Sequence, residues 1–436
     1  MFCPDPDIKF AEDCLMSDTT AGQVLTTQDG KPLKAALAKA LRREKLRALA
    51  LIAPLLIFVL ITFVAPIVDM LFRSVENSIV SETLPNTVVA LQDWDQSSGE
   101  LPDEPVFAAL HQDLVVAVEE KTHTRLGSRL NYEQSGTSSL FRKTGRGVRR
   151  MDEAAPFKDQ FIDVDDDWGD VATWQLLKRY SSPYTAGYFL NSFDAQLTAD
   201  GIELKPEDER IYMFLFGRTL FLSIVITVSC LLLGYPIAFL LAALPLRTSN
   251  LLMILVLLPF WTSLLVRTSA WKVLLQQQGV INDFLVWTGL ISDAGRLVMI
   301  NNQTGTIIAM THILLPFMIL PLYSVMKTIS PSYVRAAKSL GANDWTAFWR
   351  VYFPQSVPGI GAGAVLVFIL SIGYYITPEL VGGTSGIFIS NRIAYHISSS
   401  LNWGLAAALG TLLLVAVLML FVVYDKIVGI DNVKLG

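Results

Sequence analysis

The segment SPSYVRAAKSLGANDWTAFWRVYFP, residues 330–354, stands between two long apolar runs of the sequence. Ser330 and Pro331 are typical of a helix start, because serine caps free amide groups and proline suits the first helical position. The helix that follows carries an apolar stripe made of Tyr333, Val334, Ala336, Ala337 and Leu340. Gly341 ends or bends this helix, and Asn343 can cap a second one. An amphipathic helix between membrane spans is therefore predicted, although such a helix could also simply rest on a lipid surface.

The apolar runs around this segment predict a membrane protein. Of the 436 residues, 52% are hydrophobic and 17% are charged, whereas soluble domains carry about 25% charged residues. Several runs reach the roughly 20 residues that a helix needs to cross a bilayer. The predicted spans are residues 49–72, 212–244, 251–275, 304–326, 359–376 and 404–424. The expected fold is an all-α polytopic membrane protein with six transmembrane helices and a large extracytoplasmic insertion between spans 1 and 2.

The charges of the short loops predict the orientation. The loops expected inside hold Arg247, Lys327, Arg335, Lys338 and Arg350, and the short loops expected outside hold Arg296 and Arg392. This excess of positive charge inside follows the rule for membrane proteins. The expected division is a cytoplasmic N-terminal segment (1–48), span 1 (49–72), a periplasmic insertion (73–210) and a transmembrane core (211–430). Both termini are expected in the cytoplasm.

The insertion differs in composition from the rest of the chain. Residues 73–210 hold 25 acidic and 14 basic residues and no apolar run of membrane length. Val106–Glu120 has helical periodicity, and strand-like or loop segments are expected after it. The glycines expected to break structure there are Gly127, Gly136, Gly145 and Gly147. The acidic cluster at 163–170 lacks the glycine and the closing glutamate of an EF-hand loop, so no metal is expected.

Residues 336–342 read AAKSLGA, followed by Phe348 and by VYFP at 351–354. This pattern resembles the EAA loop of bacterial ATP-binding-cassette importer permeases, a coupling helix that fits a cleft on the ATP-binding subunit. We name residues 330–354 the docking segment. Arg335 stands where the family usually has glutamate. The residues that the resemblance implies for coupling to the ATPase are Tyr333, Arg335, Ala336, Ala337, Leu340, Gly341 and Ala342.

Three further motifs, PQSVPGIGAG (354–363), GYYITPELVGG (373–383) and NWGLAA (402–407), are similar to the spermidine/putrescine permease branch. The similarity covers span 1 and roughly 211–430, and leaves out the insertion. It implies a permease of the bacterial inner membrane that carries a small amine-bearing solute, most simply a polyamine such as spermidine or putrescine. It also implies a heteromer with a second permease, two ATP-binding subunits and a periplasmic substrate-binding protein.

The chain itself is not expected to be an enzyme. It has no GxxxxGK[ST] phosphate loop, so ATP hydrolysis must come from a partner subunit. Its cysteines, Cys3, Cys14 and Cys230, show no CxxC spacing, and Cys230 lies in an apolar run as an inert thiol would. No cofactor is expected.

A cationic amine that crosses a membrane needs acidic groups and aromatic faces. The candidates for the substrate pathway are Glu379, Tyr374, Tyr375, Trp261, Asp69 and Trp271. Each also has a structural interpretation: a helix cap for Glu379, a headgroup-level role for Asp69, and interfacial anchors for the aromatic residues. Arg267 could instead bind an anionic group of a substrate.

Other functions stay open at this point. The solute could be another small amino compound, such as an opine, an aminophosphonate or an amino acid. An ion-coupled secondary transporter would need midplane coupling sites and usually inverted repeats, and neither is evident in the sequence. A membrane-anchored sensor would need a cytoplasmic output domain, for which no candidate follows Asp425.

Overall fold

The computed structural model describes residues 33–197 and 201–428. Cys3, Cys14 and the first 32 residues of the N-terminal segment lie outside the described residues. Helices make up most of the described chain, and five of them are long and apolar enough to cross a membrane, or up to six with one bent pair counted as a span. The predicted all-α polytopic class is therefore confirmed. The chain divides into two units, Met1–Asp69 and Met70–Gly436.

The first apolar helix is interrupted by a wider turn. Helix α1 (Leu33–Val59) leads into a π-helical turn (Leu60–Val64), which continues as α2 (Ala65–Arg73). The Thr62 hydroxyl donates a hydrogen bond to the Phe58 carbonyl at 2.7 Å, four residues back. Threonine bonds of this kind tend to bend helices, and π turns occur mostly as single insertions within α-helices.

The insertion is a helical domain. Its elements are α3 (Ile79–Thr83), α4 (Pro85–Ala90), α5 (Glu104–Glu119), α6 (Thr122–Leu130), α7 (Thr137–Gly147), α8 (Phe157–Val164), α9 (Val171–Arg179), α10 (Gly187–Ser192), β1 (Ala195–Leu197) and β2 (Ile202–Leu204). The two strands pair antiparallel, with Ala195 opposite Leu204. The expectation of strands and loops after residue 120 was therefore largely wrong.

The glycines explain this error. Gly127 lies inside α6, where an added Cβ would come within 2.8 Å of the Phe141 Cβ, and Gly145 lies inside α7, 2.7 Å from the His123 ring by the same measure. These glycines allow two helices to pack closely and do not end them. Gly136 is different, because its φ of +97° is a left-handed conformation that favours glycine, and it precedes α7 as expected of a breaker.

Aromatic rings form the core of the insertion. Trp168 and Trp174 are fully buried, with ring centroids 5.4 Å apart, and Phe107 packs edge-on against Trp174 at 4.5 Å. The indole N–H groups find partners, as buried tryptophans require: Trp168 Nε1 donates to Thr144 Oγ1 at 2.8 Å. All residues of this hydrophobic cluster fall between Val80 and Tyr180, so the domain has a core of its own.

The two ends of this domain lie side by side. The Asn77 amide donates to the Pro183 carbonyl at 2.8 Å, and the Thr185 amide donates to the Val75 carbonyl at 2.8 Å. The Asn77 side chain also donates to the Tyr180 carbonyl at 2.7 Å. The two ends of residues 78–182 therefore lie at one place, where residues 75–77 pair with 183–185. We call this place the stem of the insertion.

The membrane core follows. Its helices are α11 (Tyr212–Ala243), α12 (Leu246–Leu257), α13 (Leu264–Leu274), α14 (Val280–Trp287), α15 (Gln303–Thr328), α16 (Pro331–Ser339), α17 (Asp344–Ala347), α18 (Phe353–Gly373), α19 (Ile376–Val381), α20 (Gly383–Gly386), α21 (Ile389–Ser398) and α22 (Trp403–Val428). Helices α11, α15 and α18 pack together around Met318, which approaches Gly234 and Gly363 closely. Small residues let membrane helices approach in this way.

The predicted third span, 251–275, is not one straight helix. Helices α12 and α13 form a pair bent by 95°. The break has a local cause: Pro259 opens a short 3₁₀ turn, Thr262 is extended, and the Ser263 hydroxyl caps α13 by accepting from the Val266 amide. Pro259 alone is compatible with a kinked but continuous span, whereas the cap after it starts a new helix.

Candidate functional site

The docking segment forms two short helices, each capped by its own sequence. The Ser330 hydroxyl accepts from the Ser332 amide at the start of α16, and the Asn343 side chain accepts from the Thr346 amide at 2.8 Å at the start of α17. Between them Gly341 has a φ of +91°, and the Ala342 amide returns to the Ala337 carbonyl at 3.0 Å. This is the usual glycine-based way of ending a helix.

The docking segment exposes an apolar and cationic surface. No residue of α16 is buried, and Leu340 is 90% exposed. Of the coupling candidates, Tyr333, Arg335, Ala336, Leu340 and Gly341 are exposed, while Ala337 and Ala342 are half-buried. Large apolar side chains that project together from a surface are typical of an interaction site.

A layer of aromatic rings joins the docking segment to the membrane core. Residues Phe348–Tyr352 form a π-helical turn between α17 and α18. The Phe348 ring packs edge-on against Tyr235 and Phe239 of α11, with centroids 6.2 and 5.9 Å away, and Tyr352 lies 5.2 Å from Phe239. A displacement of the docking segment would therefore act on α11 directly. Tyr235 and Phe239 are not among the residues predicted from the sequence, because nothing local distinguishes them from other aromatic residues of a span.

At the other end of α18 the chain turns back through the two short helices α19 and α20. The glycines of this segment are packed against the start of α15. A Cβ on Gly383, whose φ is +53°, would lie 2.4 Å from the Asn301 carbonyl oxygen, and one on Gly382 would lie 2.6 Å from Thr306 Oγ1. The Thr306 hydroxyl donates to the Gly386 carbonyl at 3.0 Å. The double glycine of the GYYITPELVGG motif therefore serves close packing.

Glu379 is exposed on α19 and has one polar partner from another helix. Asn391 Nδ2 donates to Glu379 Oε2 at 2.7 Å and to the Tyr375 carbonyl at 2.9 Å. Asn391 is itself buried, and its Oδ1 accepts from the Phe388 amide at 2.9 Å. The carboxylate is therefore oriented by α21 while part of it faces outward. Tyr375 is also exposed, whereas Tyr374 is half-buried.

A second polar group lies between α13, α15 and α19. Trp271 Nε1 donates to His312 Nδ1 at 3.1 Å, and the hydroxyls of Thr268 and Thr377 are 3.2 Å apart. Arg267 interacts electrostatically with both His312 and Tyr374. Trp271 thus contacts His312, and Arg267 acts on both His312 and Tyr374; we call these four residues the Arg267 group. His312 was missed, although a histidine inside a long apolar helix is a signal that could have found it.

One candidate of the second unit, Trp261, lies apart from these groups. Trp261 is 76% exposed at the bend between α12 and α13. Asp69 lies on α2, at the end of the first unit.

Residues 231–428 match the family model described as "Binding-protein-dependent transport system inner membrane component". The chain is 34% identical over 224 residues to the spermidine/putrescine transport system permease protein PotB of Escherichia coli K12. The aligned region covers 51% of this chain and 81% of that protein. The PotB protein of Haemophilus influenzae is 38% identical over 216 residues, covering 49% and 74%. The chain belongs to this family. It is a multi-pass inner-membrane permease of an ATP-binding-cassette importer, and it is not itself an enzyme.

A solved bacterial ABC transporter involved in the import of the acidic polysaccharide alginate aligns with the permease at a TM-score of 0.44 and 18% identity, over 68% of this chain and 99% of that chain. The match to the PotB proteins covers about half of the permease.

Proposed function

We propose that the permease forms, with a second permease subunit, the translocation pathway for a small polyamine such as spermidine or putrescine. The similarity to PotB carries this proposal, because the chain covers 81% of the Escherichia coli protein at 34% identity. The solute is delivered by a periplasmic substrate-binding protein, and two ATP-binding subunits supply the energy. Both termini then lie in the cytoplasm, with the docking segment on the same side.

In this proposal the docking segment binds an ATP-binding subunit. Its exposed Leu340 and Tyr333 supply apolar contact. Arg335 is exposed beside them and requires an acidic residue of the partner, where the family's usual glutamate would require a basic one. Movement of the bound segment is passed to α11 through the Phe348 ring.

Glu379 and Tyr375 are the residues we assign to the amine. The exposed carboxylate offers a charge to an ammonium group, and the exposed ring beside it offers a π face. Trp271 and Tyr374 belong to the Arg267 group and are assigned to the wall of the pathway. Trp261 and Asp69 remain candidates for the pathway.

The test is uptake of labelled spermidine into proteoliposomes that hold the full importer, with its binding protein and ATP. Glu379→Gln keeps an acceptor for Asn391 and removes only the charge, so we expect uptake to fall about tenfold while the complex still assembles. Glu153→Gln changes an exposed glutamate of the insertion and is the matched control. Unchanged uptake in Glu379→Gln would remove this residue from the site. Absence of spermidine and putrescine uptake by an importer that hydrolyses ATP would refute the polyamine proposal.

The Arg267 group favours a second candidate, a substrate that carries an anionic group beside its amine. An opine, an aminophosphonate or an amino acid has this chemistry, and a guanidinium is well suited to carboxylate and phosphonate. ATPase stimulation by the binding protein loaded with each compound separates the candidates. Loss of transport in Arg267→Gln for an acidic amine, but not for putrescine, would favour this alternative.

The insertion is proposed to lie in the periplasm and to dock the binding protein. Its independent core makes it a rigid unit that can present a surface, while contacts such as those of Arg129 with Tyr188 and of Tyr132 with His396 hold it against the rest of the chain. Stabilisation of the second permease and a tolerated spacer are the other roles to be tested.

A further inference from the structure

A cavity of about 470 Å³ lies where the insertion meets the loop before α22. Its walls come from the stem, from α6, from Tyr188 of α10 and from residues 400–404. The volume lies in the range of small-molecule sites, about 300–1,000 Å³. None of the residues assigned to transport or to coupling lines it.

Positive charge dominates the walls. Three arginines line the cavity, Arg73, Arg125 and Arg129, against one carboxylate, that of Glu76. Arg125 is exposed at the rim. The hydroxyls of Ser128 and Ser400 add donors. The insertion as a whole is acidic, so the excess of positive charge at the cavity departs from the average of the domain.

Arg129 is held rigidly in the wall. It is 7% exposed, its Nε donates to the Tyr188 hydroxyl at 2.8 Å, and its Nη1 pairs with Glu133 at 2.8 Å. Burial alone would lower the pKa of Arg129, but its interactions with Tyr188 and Glu133 outweigh this and raise it. The guanidinium therefore stays charged, and its plane is fixed.

Buried polar groups of the same wall lack partners. Arg129 Nη2 and Asn402 Nδ2 have no hydrogen-bond partner among the described residues, and each belongs to a side chain that is 7% exposed. A buried donor without a partner is unfavourable, so both side chains would gain from an acceptor that enters the cavity. Both are donors, as an oxyanion would require.

The position of the cavity indicates where such an oxyanion comes from. Arg73 is the last residue of the first candidate span, and Trp403 is the first residue of the last one. Trp403 and Leu401 are exposed at the rim. Tryptophans at span ends lie at the level of lipid headgroups. A cationic cavity with an apolar rim at that level matches a phosphate that is attached to acyl chains.

We propose that this cavity binds a phosphate group at the surface of the inner membrane, on the side proposed for the insertion. Arg125, Arg129 and the Asn402 amide hold the phosphate, and a phospholipid headgroup is its source. A soluble phosphomonoester presents the same chemistry. The Glu76 carboxylate suits an ammonium group attached to that phosphate, as in phosphatidylethanolamine.

The experiment measures binding to the purified full-length permease in detergent. Phosphatidylethanolamine is titrated and counted by native mass spectrometry, and glycerol 3-phosphate is titrated in parallel by thermal shift. We expect Arg125→Glu to weaken lipid binding at least about tenfold. Ser128→Phe fills the cavity without changing its charge and should have a similar effect. Arg146→Glu reverses an exposed arginine of the same domain that does not line the cavity, so binding should be unchanged.

Loss of lipid binding in the two cavity variants alone supports a headgroup site. Binding of glycerol 3-phosphate with the same variant pattern, and no lipid effect, supports the phosphate site with a soluble source. Equal loss in Arg146→Glu would show general surface attraction and overturn the proposal. So would wild-type affinity in both cavity variants.

Discussion

At the scale of single residues, Asp194 connects the insertion to the membrane core. Its carboxylate is buried and accepts hydrogen bonds from the amides of Ile211, Tyr212 and Met213 at 3.1, 3.0 and 2.8 Å. These amides start α11 and have no partners within that helix. The cap comes from a residue 17 positions or more before them, so the start of α11 depends on the segment between the stem and α11.

Removal of the Asp194 carboxylate is therefore expected to destabilise the start of α11. Asp194→Ala should cost about 2 kcal/mol, because it leaves buried amides without acceptors. Asp194→Asn keeps one acceptor oxygen and tolerates the φ of +56°, so this variant should lose less stability. Thermal unfolding of the purified permease measures both. Equal melting temperatures for Asp194→Ala and the wild type would contradict the cap.

His396 makes the stability of the same region depend on pH. Its Nε2 is 3.0 Å from the Tyr212 hydroxyl and its Nδ1 is 2.8 Å from Ser400 Oγ. Burial, and then the charge of Arg392, lower the pKa of His396 to about 4 from its ordinary 6.5. The unfolded chain takes up a proton near pH 6.5 and the folded protein only near pH 4, so stability is lost as the pH falls through this window.

Protonation of this histidine in the unfolded chain is expected to lower the free energy of unfolding by about 2 kcal/mol between pH 7 and pH 5. His396→Gln has no proton to gain, so its melting temperature should decline less than that of the wild type over the same range. Melting curves of the two proteins at pH 7, 6 and 5 provide the comparison. Parallel declines would mean that His396 does not carry the pH dependence.

At the scale of elements, the docking segment depends on Gly341. The φ of +91° strains any residue with a Cβ, yet nothing lies within 4 Å of where that Cβ would be. Backbone conformation alone thus sets the direction in which α17 leaves α16. Proline fixes φ near −65°, whereas asparagine tolerates the left-handed region.

Gly341→Pro is therefore expected to uncouple ATP hydrolysis from transport. Uptake should fall at least about tenfold, while Gly341→Asn, the matched control, should retain uptake within about threefold of the wild type. Uptake and ATPase activity are measured on the same proteoliposomes. Normal substrate-stimulated ATPase and uptake in Gly341→Pro would rule out the coupling role of this segment.

At the scale of the whole molecule, the two ends of residues 78–182 meet at the stem. Because residues 75–77 pair with 183–185, a linker of a few Gly and Ser residues can replace 78–182 and leave Asp194 in place. We expect the shortened permease to fold and to assemble. If the insertion docks the binding protein, the ATPase stimulation by the binding protein should fall about tenfold while basal ATPase stays unchanged.

The shortened permease separates the roles of the insertion. Full stimulation by the binding protein would mean that the domain is a spacer. Loss of the second permease from the purified complex would assign it to assembly instead. Asp194→Ala in the full-length chain is the control for damage to α11 alone.

The sequence by itself determined the class of this protein, the position of most of its apolar helices and the ends of the docking helices. These features are local: run length, a serine or asparagine cap, and a glycine with positive φ act within a few residues. Only the tertiary structure decided that α12 and α13 meet at 95°, that Trp271 reaches His312, that Asp194 caps α11, and that arginines of the insertion share a cavity with the loop before α22. The bend has a local cap whose effect on the helix direction the sequence does not reveal. The other three features join positions far apart in the sequence, which only packing in three dimensions brings together.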